Sequence, residues 1–252
     1  MSPVSEPYEA VVPYPGGNTT ASRFAKTAEE YGYTGVVLRS RIDRSDENLD
    51  RLAPGVEGTA PYGVDVVPGV EVVPDSPTRV GGLASSVRNR TVVLIVRGGD
   101  SGVNRAALED PRIDVLSRPF GDDGAGGAEG GDINHVLVKA ARDNEVAIEF
   151  DLSPVLRLSG GRRVRALGRL RKLRELIDHY GAPFVVSARP DSHLRLRSVR
   201  ELCAVGSQIG FEEGTIREGL ERWGEIADRN RRRLSESFIA EGIERGRHET
   251  EY

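Results

Sequence analysis

Residues 133–188, INHVLVKAARDNEVAIEFDLSPVLRLSGGRRVRALGRLRKLRELIDHYGAPFVVSA, decide the fold class of this chain. Helix-length segments at 133–144 and 161–180 are each followed within a few residues by a short β-branched run, at 146–152 and 183–188. Gly181 stands where a left-handed residue ends a helix, and Pro183 opens a strand where its missing N–H matters least. Alternation at this spacing means parallel strands joined by right-handed crossovers.

The same alternation extends outward. Further strands are expected at 8–12, 34–40, 63–73, 91–97 and 113–118, with helices at 19–31, 78–88 and 102–110 between most of them. Thr19 and Thr20 are candidate caps of the first helix, and Gly32 follows it. A doubly wound open sheet and a (β/α) barrel both fit this order. Seven or eight strand units spread evenly, with no halving of the chain, favour an α/β fold of the TIM-like (β/α) barrel type, which typically needs about 250 residues. The 252 residues then form one barrel domain. Segments 193–209, 213–230 and 231–245 read as consecutive helices, so residues 193–252 are expected to be a helical C-terminal region. GDDGAGGAEGGD at 121–132 reads as a flexible, solvated acidic insertion.

Composition bounds the function. The chain is 38% hydrophobic and 29% charged with a net charge of −4, a globular profile without a run of eighteen apolar residues or a signal-like N-terminus, so a cytoplasmic protein with no membrane partner is expected. A single cysteine, Cys203, excludes a disulfide framework and a multi-Cys metal site, and reads as a small core residue. The net charge hides an asymmetry: residues 1–132 carry −7 and residues 133–252 carry +3, while 157–200 hold twelve basic groups against three acidic ones. Only Lys26, Lys139 and Lys172 are lysine, so guanidinium forks dominate anion recognition.

In a barrel, the C-terminal ends of the strands form the functional face. Arg39 and Arg41, Arg97, Arg118 and Arg189 all fall at predicted strand ends, and Arg197 joins them as an expected rim contact. Such a rim suits an extended polyanion or a phosphorylated ligand, the alternative being arginines that simply face water. On the 161–180 helix, Leu167, Leu170, Leu173 and Ile177 make an apolar stripe, and Arg165, Arg169 and Lys172 fall within roughly 60° of one another on the opposite side. A phosphate backbone or plain solvent fits that face. DRNRRR at 228–233 offers a weaker basic run.

Several chemistries lack their residues. No lysine sits in a P-loop context or at a strand end, and the four histidines are scattered. Strand one ends in VVPYPGGN, without a metal ligand. Glu71, Glu149 and Asp151 lie on strands and could bind one Mg²⁺, although paired or solvated carboxylates are commoner, so a metal-dependent barrel phosphoesterase stays as the alternative. Neither a catalytic residue nor a protein metal site is assigned. Aromatics make up 6% and do not interleave with the basic groups, which favours backbone or shape recognition of folded RNA over base stacking.

Four blocks in order, YEAVVPYPGGNTTASRFAKTAEEYGYTGVVLRSR, IDVLSRP, INHVLVKAARDNEVAIEFDLSPVL and FVVSARPDSHLRLRSVRELCAVGSQIG, resemble the archaeal protein component 3 family of ribonuclease P, the thirty-kilodalton subunit family shared with the eukaryotic enzyme. The resemblance covers about residues 8–233, and its most specific parts are 134–152 and 187–202. It implies a TIM-like barrel related to metal-dependent phosphoesterases but without their ligands. It also implies a noncatalytic subunit that binds and stabilises the catalytic RNA, with Mg²⁺ on the RNA subunit and no cofactor on this chain. The implied partners are ribonuclease P RNA, ribonuclease P protein component 2 and the other protein subunits, with precursor tRNA met indirectly as its 5′ leader is removed. The insertion at 121–132 departs from the family pattern, and acidic surface with scarce lysine looks like a halophilic version.

Overall fold

The computed structural model describes residues 6–42, 58–59, 63–121, 131–235, 238–240 and 243–244. Its frame is a curled sheet of seven parallel strands: β1 (Tyr8–Val11), β2 (Gly35–Ile42), β4 (Asp65–Val72), β5 (Val93–Arg97), β6 (Val115–Ser117), β7 (Ala147–Asp151) and β8 (Phe184–Ser187), paired in that order. Each expected strand is present. A short β3 (Gly58–Thr59) pairs antiparallel with Asp65 and Val66, on the stretch of β4 that β5 leaves uncovered by starting at Gly69.

Helices α1 (Ala21–Glu30), α2 (Pro77–Val87), α3 (Ser101–Leu108), α4 (His135–Asp143), α5 (Ser153–Arg157) and α6 (Gly160–Tyr180) return the chain between strands. Local chemistry sets their starts. Thr20 caps α1, Asp100 caps α3, and Asn134 accepts from the amides of Val136 and Leu137 at the head of α4. Thr19, the other candidate cap, is buried and bonded to His193 instead.

Side chains alternate across the sheet. Val36, Leu38, Val66, Leu94, Leu116, Ile148 and Phe150 pack outward against the helices in the larger core. Ala10, Val37, Val67, Val93, Ile95, Val115, Ala147 and Val185 point inward. This inner layer is completed by the last long helix, α8 (Glu213–Leu234), which follows α7 (Val199–Ile209) and inserts Trp223, Ile226 and Ala227. The helix lies across the N-terminal ends of the strands. Arg231 grips Asp65 with both nitrogens at 2.8 Å, Asn230 donates to the Val92 carbonyl at 2.9 Å and to Asp114 at 2.8 Å, and Trp223 donates to the Val186 carbonyl at 2.9 Å. Two glycines permit this approach: a Cβ on Gly219 would lie 2.5 Å from Val186, and one on Gly224 would lie 2.6 Å from the Tyr8 ring.

No strand ladder joins β1 to β8. Side chains and loops close that seam. The buried Glu9 carboxylate accepts from the Ser187 hydroxyl at 2.6 Å and the Ala188 amide at 3.2 Å, and the Val12 amide donates to the Pro190 carbonyl at 2.8 Å. Burial raises the Glu9 carboxyl to about 7, against the pull of its donors.

Two expectations for the C-terminal region change. The region from 193 opens with a 3₁₀ turn at His193–Arg195, because Ser198 and Glu201 form a capping box that starts α7 only at Val199. No separate helix starts at 231 among the described residues: Ile216, Leu220, Trp223, Ala227 and Asn230 keep one buried face that carries α8 to Leu234. Beyond it, Phe238–Ala240 (β9) and Ile243–Glu244 (β10) pair as an antiparallel hairpin. The acidic insertion lies, over residues 122–130, outside the described residues.

Candidate nucleic-acid interface

Strand parity places charge inside the barrel above its apolar floor. Arg39 lies two residues beyond inward Val37, Glu149 two beyond Ala147, and Ser117 two beyond Val115. The Arg39 guanidinium is only 1% exposed. It donates to both Glu149 oxygens at 2.6 and 3.1 Å and to the Ser117 hydroxyl at 2.7 Å, its Nε lies 3.3 Å from Glu71, and its Cζ lies 5.9 Å from the centre of the Trp223 ring. Burial disfavours the charge, but Glu149 and Glu71 overrule it and hold Arg39 protonated.

One layer higher, Arg189 donates to both oxygens of Glu71 at 3.1 and 3.2 Å, and Arg118 donates to Asp151 at 3.2 Å. Both arginines take left-handed backbone, with φ of 45° and 50°, just past the ends of β8 and β6. That conformation is costly for a side-chain-bearing residue. Burial would raise the Glu71 carboxyl, yet Arg39 and Arg189 hold it at about 2. Burial followed by repulsion from Arg39 lowers Arg189 despite its partner.

The expected arginine rim is therefore divided. Arg39 belongs to the interior, and Arg118 and Arg189 close the mouth as paired side chains that are largely buried. Arg41 is exposed at the end of β2 and Arg97 half-buried at the end of β5. Arg197 is half-buried, with Nη1 on the neighbouring Leu196 carbonyl at 3.0 Å. Alternation carried the missing signal, since Arg39 shares the parity of buried Val37. The seam residues Glu9 and Ser187 and the plug residue Trp223 had no motif to announce them.

The α6 face is assembled as read. Ala166, Leu170, Leu173 and Ile177 are buried, with Leu167 packed beside them. Arg162, Arg163 and Arg165 are exposed and make no ion pair among the described residues. Arg169 and Lys172 share Asp132, at 3.1 and 3.0 Å, at the edge of the acidic insertion.

A metal site does not fit the mouth. Glu71, Glu149 and Asp151 are each engaged by a guanidinium, and no cluster of three His, Cys, Asp or Glu side chains suited to a metal occurs among the described residues. No helix among them is long and apolar enough to cross a membrane.

Fold and site together define a TIM-like barrel whose strand-end mouth is closed by guanidinium–carboxylate pairs. A cryo-EM structure of archaeal ribonuclease P with mature tRNA contains a similar chain, with a TM-score of 0.77 at 22% identity, covering 96% of this chain and all of that one. Histidinol phosphate phosphatase from Lactococcus lactis, solved with zinc, L-histidinol and phosphate, shares the barrel more distantly, at a TM-score of 0.54 and 10% identity over 82% of this chain and 95% of that one. The chain belongs to the RNase P subunit p30 family, whose model matches residues 6–235. Ribonuclease P protein component 3 of Halorubrum lacusprofundi is 50% identical over 96% of this chain and 98% of its own length. The Halobacterium salinarum protein of the same name is 49% identical over 96% and 98%.

Proposed function

We propose that this chain is a noncatalytic subunit that binds and stabilises the catalytic RNA of ribonuclease P, the cytoplasmic ribonucleoprotein that removes the 5′ leader of precursor tRNA. Phosphodiester hydrolysis and its Mg²⁺ then belong to the RNA, and the barrel contributes no cofactor. Ribonuclease P protein component 2 and the other protein subunits are its protein partners, and precursor tRNA is met indirectly.

One observation carries the RNA contact: α6 displays Arg162, Arg163 and Arg165 to solvent without acidic partners among the described residues, continuous with Arg169 and Lys172. Guanidinium forks in a row on a rigid helix suit successive phosphates. Arg41 and Arg97 extend the contact to the mouth, whereas Arg39, Arg118 and Arg189 hold the barrel together. Binding of ribonuclease P RNA measured over a salt series tests this. Arg162→Ala with Arg165→Ala lowers affinity and flattens the dependence on salt by about 0.7–0.9 for each phosphate no longer neutralised. An unchanged slope sinks the α6 assignment.

A further inference from the structure

Tyr14 and Leu194 are 71% and 78% exposed, the two most exposed large hydrophobic side chains among the described residues. They stand on different loops, one after β1 and the other after β8, at the C-terminal end of the barrel. Those loops are stitched together. The Asn18 amide donates to the Asp191 carbonyl at 2.7 Å, the His193 amide donates to the Thr19 hydroxyl at 3.2 Å, and that hydroxyl lies 3.1 Å from His193 Nδ1. Within its own loop the Tyr14 amide donates to the Thr19 carbonyl at 2.8 Å. A Cβ on Gly17 would lie 2.0 Å from the Val12 carbonyl oxygen and 2.6 Å from that of Asp191, so the backbones meet where only glycine fits.

A rigid support that turns an aromatic ring and a leucine to water forgoes the burial such side chains normally gain. The surroundings are cationic. Arg157, Arg189, Arg195 and Arg197 lie on this loop pair and the adjoining end of α5; Asp191 pairs with Arg195 at 2.8 Å and approaches Arg157 at 4.0 Å, and Glu71 holds Arg189 from below. Protein interfaces also use exposed tyrosine as an anchor, but an excess of guanidinium around an open ring favours a nucleic acid.

We propose that Tyr14 and Leu194 form a stacking platform for an unpaired nucleobase of the bound RNA. This rests on the RNA-binding reading above, and adds a base contact to the backbone or shape recognition that the sequence favours. The platform is set before binding, so little ordering accompanies the contact.

The test measures affinity of the full chain for in vitro transcribed ribonuclease P RNA across a salt series. Tyr14→Ala lowers affinity roughly 5- to 100-fold, Leu194→Ala lowers it less, and Tyr14→Phe restores binding, because stacking needs the ring and not the hydroxyl. The salt slope stays at the wild-type value in all three, since every phosphate-binding cation is kept. Unchanged affinity for Tyr14→Ala, alongside weakened binding by the α6 arginine variants, overturns the platform and leaves the RNA-binding reading standing. Absence of RNA binding by the wild-type chain overturns both. Unchanged RNA affinity with weaker capture of protein component 2 by Tyr14→Ala overturns the platform in favour of a protein contact.

Discussion

Glu9 makes the stability of the barrel depend on pH in a defined window. It is fully buried at the β1–β8 seam, accepts from three donors (the Ser187 hydroxyl and the amides of Ala188 and Ala10), and makes no ion pair among the described residues. Burial lifts its carboxyl from an ordinary 4.5 to about 7. A group whose value is higher in the folded state stabilises the fold fully below pH 4.5, and that contribution is lost as pH rises through 7. The interval corresponds to about 3 kcal/mol, a large fraction of the stability of a single domain. Glu71, held at about 2, changes stability in the opposite direction and only at lower pH, so the windows separate. Urea unfolding of the wild type and of Glu9→Gln at half-unit steps from pH 5 to 8 reads the effect. Glutamine keeps an oxygen for Ser187 and Ala188 but does not ionise. The wild type is expected to lose up to about 3 kcal/mol relative to the variant across this range. Parallel curves for the two proteins would refute the assignment of the seam to Glu9.

Three further outcomes follow from the packing. Arg39→Met strands Glu149, leaves Glu71 to Arg189 alone and costs about 3–5 kcal/mol in chemical denaturation, part of which returns when Glu149→Gln is added. Trp223→Ala opens the floor of the barrel and costs about 3–5 kcal/mol by the same measurement. Gly219→Ala forces a methyl against Val186 and Phe184 and destabilises by about 1–3 kcal/mol, visible as a lower thermal midpoint, with RNA affinity unchanged at temperatures where the variant is folded.

Strand and helix periodicity made the seven parallel strands and the five longer connecting helices legible, because both faces of each strand are buried and every crossover keeps an apolar stripe. The α6 arginines were legible for the same reason: Leu170, Leu173 and Ile177 define the inward side and leave the other to charge. Arg39, Arg118 and Arg189 misled because an arginine at a strand end looks alike whether it faces solvent or a carboxylate on another strand. Their partners lie 110, 33 and 118 residues away, in Glu149, Asp151 and Glu71. The end of α8 was misplaced because charge dominates 228–233 and obscures Asn230, whose amide is buried against Val92 and Asp114. Tyr14 and Leu194 become visible as a pair only once their loops are joined.

The position of α8 after every strand of the barrel bears on how the protein is made. Synthesis proceeds from β1 onward, so the side chains that seal the inner layer, Trp223, Ile226 and Ala227, emerge only after all seven parallel strands. Until they do, Val37, Val67, Val93, Val115 and Val185 line a hollow with no floor, and a nascent chain that stops short of α8 presents them as a sticky, unfinished cup. The seam between β1 and β8 needs only residues up to Pro190, so it is available before the plug that covers the inner layer. Fragments ending before residue 213 should accordingly aggregate rather than accumulate as smaller stable barrels.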